Sequence, residues 1–195
     1  MNMPAPVDHE ARRRQVGAIA AELLAERGPD ALTFRDIARR AGYSTMIVSH
    51  YFESKHHLLF HMFQAAARHG VDRMRRAIAD GKAAEDCIAV LMPLDQQSRT
   101  DWHVVLAFWG KATADAAFAK EQRFRGRESL ELVAQQLARL DPALIDAELL
   151  DVRARMVLST VVGVATQAVF NPRDWSAKRQ RAVLHDALRG MIPEG

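Results

Sequence analysis

The chain holds one cysteine, Cys87, among 195 residues, so no internal disulfide can form. That excludes the small disulfide-framed folds and fits a reducing compartment, with Cys87 read as a small packed hydrophobe. Long apolar runs are missing as well. None approaches the roughly 20 residues that a membrane-spanning helix requires, and MNMPAPVDHEARRR has no hydrophobic stretch of the kind a secretory leader carries. The expected location is the cytoplasm, with no membrane partner. Glycine and proline number only 10 and 7, and alternating β-branched stretches are few, so helix is expected throughout and no strand is needed. Catalytic signatures are absent too: there is no H-E-x-x-H, no paired Glu-x-x-His set, no G-x-S-x-G and no phosphate loop. His57 and His61 lie four apart, a metal-compatible spacing, with His56 and His69 nearby. Without a recognised ligand set, no catalytic residue, metal site or cofactor is predicted.

What is present is an apolar content of 49%, enough for a substantial core, and a net charge of +3. Residues 1–80 carry 12 Lys and Arg against 9 Asp and Glu, whereas residues 81–195 carry 15 of each. The whole positive excess sits in the first part of the chain, a modest asymmetry of the sign that nucleic acid attracts.

Periodicity then divides the chain. Val16, Ile19, Ala20, Leu23 and Leu24 make one buried stripe on a first helix from about Asp8 to Arg27, which Gly28-Pro29 ends. A fourth helix is expected from Ser54 to about Asp80, with Leu58, Leu59, Met62, Phe63 and Ala66 inward. At 1.5 Å per residue it is a plausible rod between a head and a body, and Asp80-Gly81 marks a soft boundary. Further helices are expected at about 83–92, 99–114, 116–140, 146–170 and 176–191. Pro93, Asp115, Asp141-Pro142 and Asn171-Pro172 punctuate them. The fold class is all-α, with about nine helices.

Between the first and fourth helices, TFRDIARRAGYSTMIVSHYFESK spells two short helices around a glycine turn. Thr33 can cap the first of the pair, with Asp36 completing a capping box. Gly42 tolerates the left-handed conformation that closes it, and Ser44 offers the next N-cap. On the second helix Val48 and Phe52 point inward, while Thr45, Met46, Ser49 and His50 form an opposite, largely polar face suited to a DNA groove.

The pattern Thr33, Ile37, Ala38, Ala41, Gly42, Ser44, Tyr51, Phe52 and Lys55 resembles the DNA-binding head of the TetR family of one-component bacterial regulators. The wording ARRAGYSTMIVSHYFESK is most similar to the BetI-type branch, whose best-known members sense choline. The resemblance implies a tail over 1–8, a helix-turn-helix DNA-binding domain over 9–69 with the motif at 33–52, and a helical ligand-sensing and dimerisation body over 70–195. It implies a ligand-released repressor that binds a palindromic operator as a homodimer through the helices near 146–170 and 176–191. The run MVLSTVVGVATQAVF at 156–170 is too apolar to face water, so either the protein's own core or a second subunit must cover it.

Roles within the head follow from chemistry. Arg35, Thr45, Met46, Ser49 and His50 are candidate readers of base edges, Arg35 because a guanidinium matches the paired acceptors of guanine. Thr33, Ser44, Tyr51 and Lys55 are candidate phosphate anchors, two of them near helix N-termini. Arg12, Arg13 and Arg14 are either a solvated helix start or contacts to flanking phosphates.

In the body the aromatics Trp102, Phe108, Trp109, Phe118 and Phe124 cluster within one stretch, with Met92 and Phe170 set aside as core and Trp175 standing apart. Trp102, Phe108, Trp109 and Phe124 are the candidate pocket lining. Aromatic faces attract quaternary ammonium groups, and Asp101, Asp115 and Glu121 are candidate counter-charges. Ordinary core packing is the competing reading of the same aromatics. Two other readings of the whole chain stay open: an all-α metal-dependent enzyme, and a DNA-binding protein with no ligand.

Overall fold

The computed structural model describes residues 8–29, 32–142 and 146–190. Among them are nine α-helices and no strand. The chain forms two compact units that divide between Gln64 and Ala65, inside a helix. Most of the tail expected over 1–8 lies outside the described residues, but Asp8 is an N-cap and accepts from Ala11 N–H at 2.9 Å.

The first unit holds α1 (His9–Arg27), α2 (Phe34–Ala41), α3 (Thr45–Tyr51) and the opening turns of α4 (Lys55–Ala79). Its core joins Val16, Ala20, Leu23 and Leu24 of α1 to Ile37, Val48, Phe52, Leu58, Met62 and Phe63, all buried. Burying a side chain such as Phe52 is worth about 1.5–3 kcal/mol. Helices α1 and α4 cross closely, and a Cβ placed on Gly17 would lie 3.1 Å from the His61 ring. The turn between α2 and α3 is short because Gly42 takes φ +69° and Tyr43 N–H donates back to Ala38 O at 2.9 Å, a Schellman closure. Ser44 then caps α3.

The second unit runs from the remainder of α4 through α5 (Ala84–Ala89), α6 (Gln96–Ala112), α7 (Ala116–Leu140), α8 (Ala147–Phe170) and α9 (Ala177–Arg189). Met74, Ile88, Met92, Val133, Leu137, Val157, Val161, Leu184 and Leu188 form its core. Two boundaries differ from expectation. Helix α6 begins at Gln96 rather than 99, because Asp95 accepts from Ser98 N–H at 2.7 Å while Ser98 Oγ accepts from Asp95 N–H at 3.0 Å. A serine does here what a glutamate usually does in a capping box, so the start is hidden from pattern matching. Helix α5 is shorter than 83–92 and has no side-chain cap.

The apolar run on α8 is covered on one side. Val157, Val161, Val164, Ala165 and Ala168 are buried, whereas Leu149, Val152, Met156 and Phe170 are exposed at 43–75%. Among the described residues no helix is long and apolar enough to cross a membrane.

Candidate functional site

In the head, the caps that build the motif also occupy its polar atoms. Thr33 Oγ1 accepts from Asp36 N–H at 3.1 Å and donates to the Asp36 carboxylate at 2.6 Å. The reciprocal arm of the expected box thus runs through the hydroxyl and not through Thr33 N–H. That hydrogen bond is the main reason the Asp36 carboxyl lies below its ordinary range, with Arg39 adding to it against some desolvation. Asp36 also pairs with Arg39 at 2.6 Å, and Arg40 grips Glu26 with both terminal nitrogens at 2.6 and 3.2 Å, tying α2 to α1.

Arg35, Thr45, Met46, Ser49 and His50 are all exposed, Met46 at 80%. An apolar side chain so exposed beside polar neighbours is suited to a base methyl. Ser49 Oγ donates to Met46 O at 3.0 Å, which leaves its lone pairs outward. Ser44 Oγ accepts from Ile47 N–H at 3.3 Å, and Lys55 stands exposed on the first turn of α4.

Tyr51 has a neighbour that sequence reading missed. Its hydroxyl lies 3.3 Å from Nδ1 of His9, and the rings of His9, His50 and Tyr51 sit 5.5–6.2 Å apart. His9 opens α1, far from Tyr51 in sequence, so no local pattern marks it. The triple arginine is also divided by the structure. Arg13 turns inward, with Nη2 2.9 Å from His57 Nε2 and its guanidinium 5.6 Å from the Phe52 ring centre, which removes it from the candidate phosphate contacts. His57 and His61 both pack on Phe52, at 5.9 and 5.3 Å. Among the described residues no cluster of three or more His, Cys, Asp or Glu is arranged to hold a metal ion.

In the second unit a cavity of about 130 Å³ is bounded by α4, α6, α7, α8 and Leu91. Ala66, Gly70, Val105, Leu158 and Val162 supply apolar wall. Trp102 and Trp109, seven apart on α6, form a corner with rings 6.3 Å apart at 77°. Their indole N–H groups are engaged, Trp102 with Leu91 O at 2.8 Å and Trp109 with Gln122 Oε1 at 3.2 Å.

Phe108 and Phe124, expected in a lining, do not border this cavity. Phe108 is fully buried against Phe118, and Phe124 is 45% exposed with Arg125 over its ring at 4.9 Å. Phe124 lies on the far side of α7 from Gln122, Arg125 and Ser129, whereas Phe108 shares the face of Asp101 but is taken up by core packing. Asp115 is the N-cap of α7 and not a pocket carboxylate. Asp101 does border the cavity, as do Arg73, Gln122, Arg125 and Ser129, four residues the sequence reading passed over. Glu121 lies behind Arg125 and pairs with it at 2.8 Å. Burial would lower the Arg125 guanidinium, but the hydrogen bonds it donates to Glu121 and Glu128 raise it overall.

A helix-turn-helix head with a capped turn and an exposed second helix, followed by a helical body with its own cavity, defines a one-component transcriptional regulator. The chain belongs to the TetR family: residues 18–62 match the model of bacterial regulatory proteins of the tetR family, and residues 80–193 match the BetI-type transcriptional repressor C-terminal model. It is 26% identical over 202 residues to the HTH-type transcriptional regulator PksA of Bacillus subtilis, covering 98% of this chain and 95% of that one. It is 30% identical to the regulator BetI of Klebsiella pneumoniae over 66% of this chain and 69% of the relative. A transcriptional regulator from Saccharomonospora viridis, crystallised in complex with choline, has the same fold at a TM-score of 0.82 and 20% identity, covering 95% of this chain and all of that one.

Proposed function

We propose that this TetR-family regulator is a repressor that binds an approximately palindromic operator as a homodimer and is released by a small organic effector held in the body cavity. The observation that carries the reading is the pairing of an outward α3 face with a cavity whose wall includes α4, the helix that also carries Lys55. Arg35, Thr45, Met46, Ser49 and His50 read bases, while Thr33, Ser44, Tyr51 and Lys55 position the head on phosphates. His9 joins Tyr51 in that positioning role. The second subunit covers the exposed stripe of α8, with α9 beside it, as an isologous interface. Effector binding shifts α4 and alters the spacing of the two heads, which costs the dimer its fit to DNA. A quaternary ammonium group suits the Trp102–Trp109 corner, and the choline complex of the related fold supports that class.

The test is fluorescence anisotropy on a duplex selected in vitro, with base-substituted variants. Tyr51→Phe and Lys55→Ala are expected to weaken binding to every sequence, whereas Arg35→Ala and Ser49→Ala change which bases are preferred, by about 1–3 kcal/mol at the affected position. Uniform loss for all four variants on every sequence would overturn the division of roles.

A further inference from the structure

The charges around the cavity narrow the effector class further, an inference that rests on reading the cavity as the effector site. Among the described residues Asp101 is the one carboxylate that borders it. Asp101 is 5% exposed and already holds Arg73 at 2.6 Å, His69 at 3.0 Å and Gln97 at 3.2 Å. Behind the wall, Arg125 engages Glu121 at 2.8 Å and Glu128 at 2.6 Å, and Arg75 engages Glu128 again at 2.7 Å. Every acid near the cavity therefore has a guanidinium of its own. A bare onium ion entering here would meet π faces but no uncommitted carboxylate to offset its lost hydration.

The unused capacity is of the opposite kind. Arg73 commits Nε to Val90 O and Nη1 to Asp101, and Arg125 commits Nε and Nη1 to the two glutamates. Neither Nη2 has a protein acceptor among the described residues. Gln122 uses its carbonyl for Trp109, so its amide N–H groups remain, together with the Ser129 hydroxyl. The wall thus offers two indoles whose N–H groups are engaged, and several donors with no protein acceptor among the described residues. At about 130 Å³ the cavity has room for on the order of ten water-sized groups, a space that a compact ligand fills.

We infer that the effector is a compact zwitterion, a methylated onium group for the Trp102–Trp109 corner joined by a short linker to a carboxylate for the free guanidinium nitrogens of Arg73 and Arg125. Such a ligand brings its own counter-charge, which the protein does not supply. Arg–carboxylate hydrogen bonds are charge-assisted and carry most of the discrimination.

Isothermal titration of the full-length protein with four probes separates the contributions: trimethylglycine, choline, 3,3-dimethylbutanoate and 3,3-dimethyl-1-butanol. Together they present onium and carboxylate jointly, singly and not at all. Trimethylglycine is expected to bind about ten-fold or more tighter than choline and than 3,3-dimethylbutanoate. Arg125→Lys, which keeps a cation for Glu121 and Glu128 but removes the free nitrogen, should erase most of the advantage over choline. Choline binding as tightly as trimethylglycine, with Trp109→Ala abolishing both, would overturn the zwitterion and leave the cavity reading standing. Binding of no probe, or binding indifferent to Trp109→Ala, would overturn both.

Discussion

Several residues in the head fold the motif with the same atoms that the proposed function gives to recognition. Thr33 and Ser44 are caps whose hydroxyls the proposed function also assigns to phosphates, and both are legible from sequence because capping is a local pattern. His9 and Arg13 were not legible in the same way. Their partners Tyr51 and His57 come from other helices, and only tertiary packing brings them together. Gly42 carries the strictest backbone demand in the motif, since its φ of +69° is one that a Cβ disfavours. Gly42→Ala is expected to destabilise the protein by about 1–2 kcal/mol in denaturant unfolding. Gly110→Ala, in the last turn of α6 with no atom within 4 Å of the added methyl, should instead be neutral or stabilising by up to about 1 kcal/mol.

At the level of whole helices, most boundaries were readable because Pro, Gly and Asp sit at them, as Gly28 after α1 and Asp115 before α7 do. The start of α6 was not, because Ser98 replaces the acidic residue that signals a capping box. That cap makes a pH prediction. Burial acts to raise the Asp95 carboxyl, but hydrogen bonds from the Ser98 backbone and hydroxyl, with Arg73 and Arg99 nearby, hold it below its ordinary value of 3.8. A carboxyl lowered on folding contributes stability that is complete above that ordinary value and is lost as pH falls through the lowered one. Asp95→Asn preserves a capping side chain without the charge. Thermal melts between pH 6 and pH 2 should therefore show a shallower acid decline for Asp95→Asn than for the wild type (about pH 4 being where the curves begin to separate).

Across the whole molecule, the sequence located the aromatic segment but not the cavity. Trp102 and Trp109 border it while Phe108 and Phe124 do not, because the space is enclosed by α4, α6, α7 and α8 and its outline depends on how they pack. The charged members Arg73 and Arg125 stand far apart in the chain and carry no motif. The α8 run calls for cover, which the core supplies on one side, and the proposed dimer would use the other. Met156, half exposed at the middle of that face, is where a charge should act on assembly without disturbing the fold. Met156→Asp is expected to shift the protein towards monomer in sedimentation velocity and to lower affinity for a two-half-site duplex, with an unchanged circular dichroism spectrum. A variant that sediments like the wild type would place the interface elsewhere.

The inward turn of Arg13 has a consequence for the thermodynamics of binding. Each phosphate neutralised releases condensed counterions and adds about 0.9 to the slope of log affinity against log salt. With Arg13 held over Phe52 and against His57, at most Arg12 and Arg14 of that run can displace ions. The entropy gained from released salt is correspondingly smaller than the run of three arginines suggests.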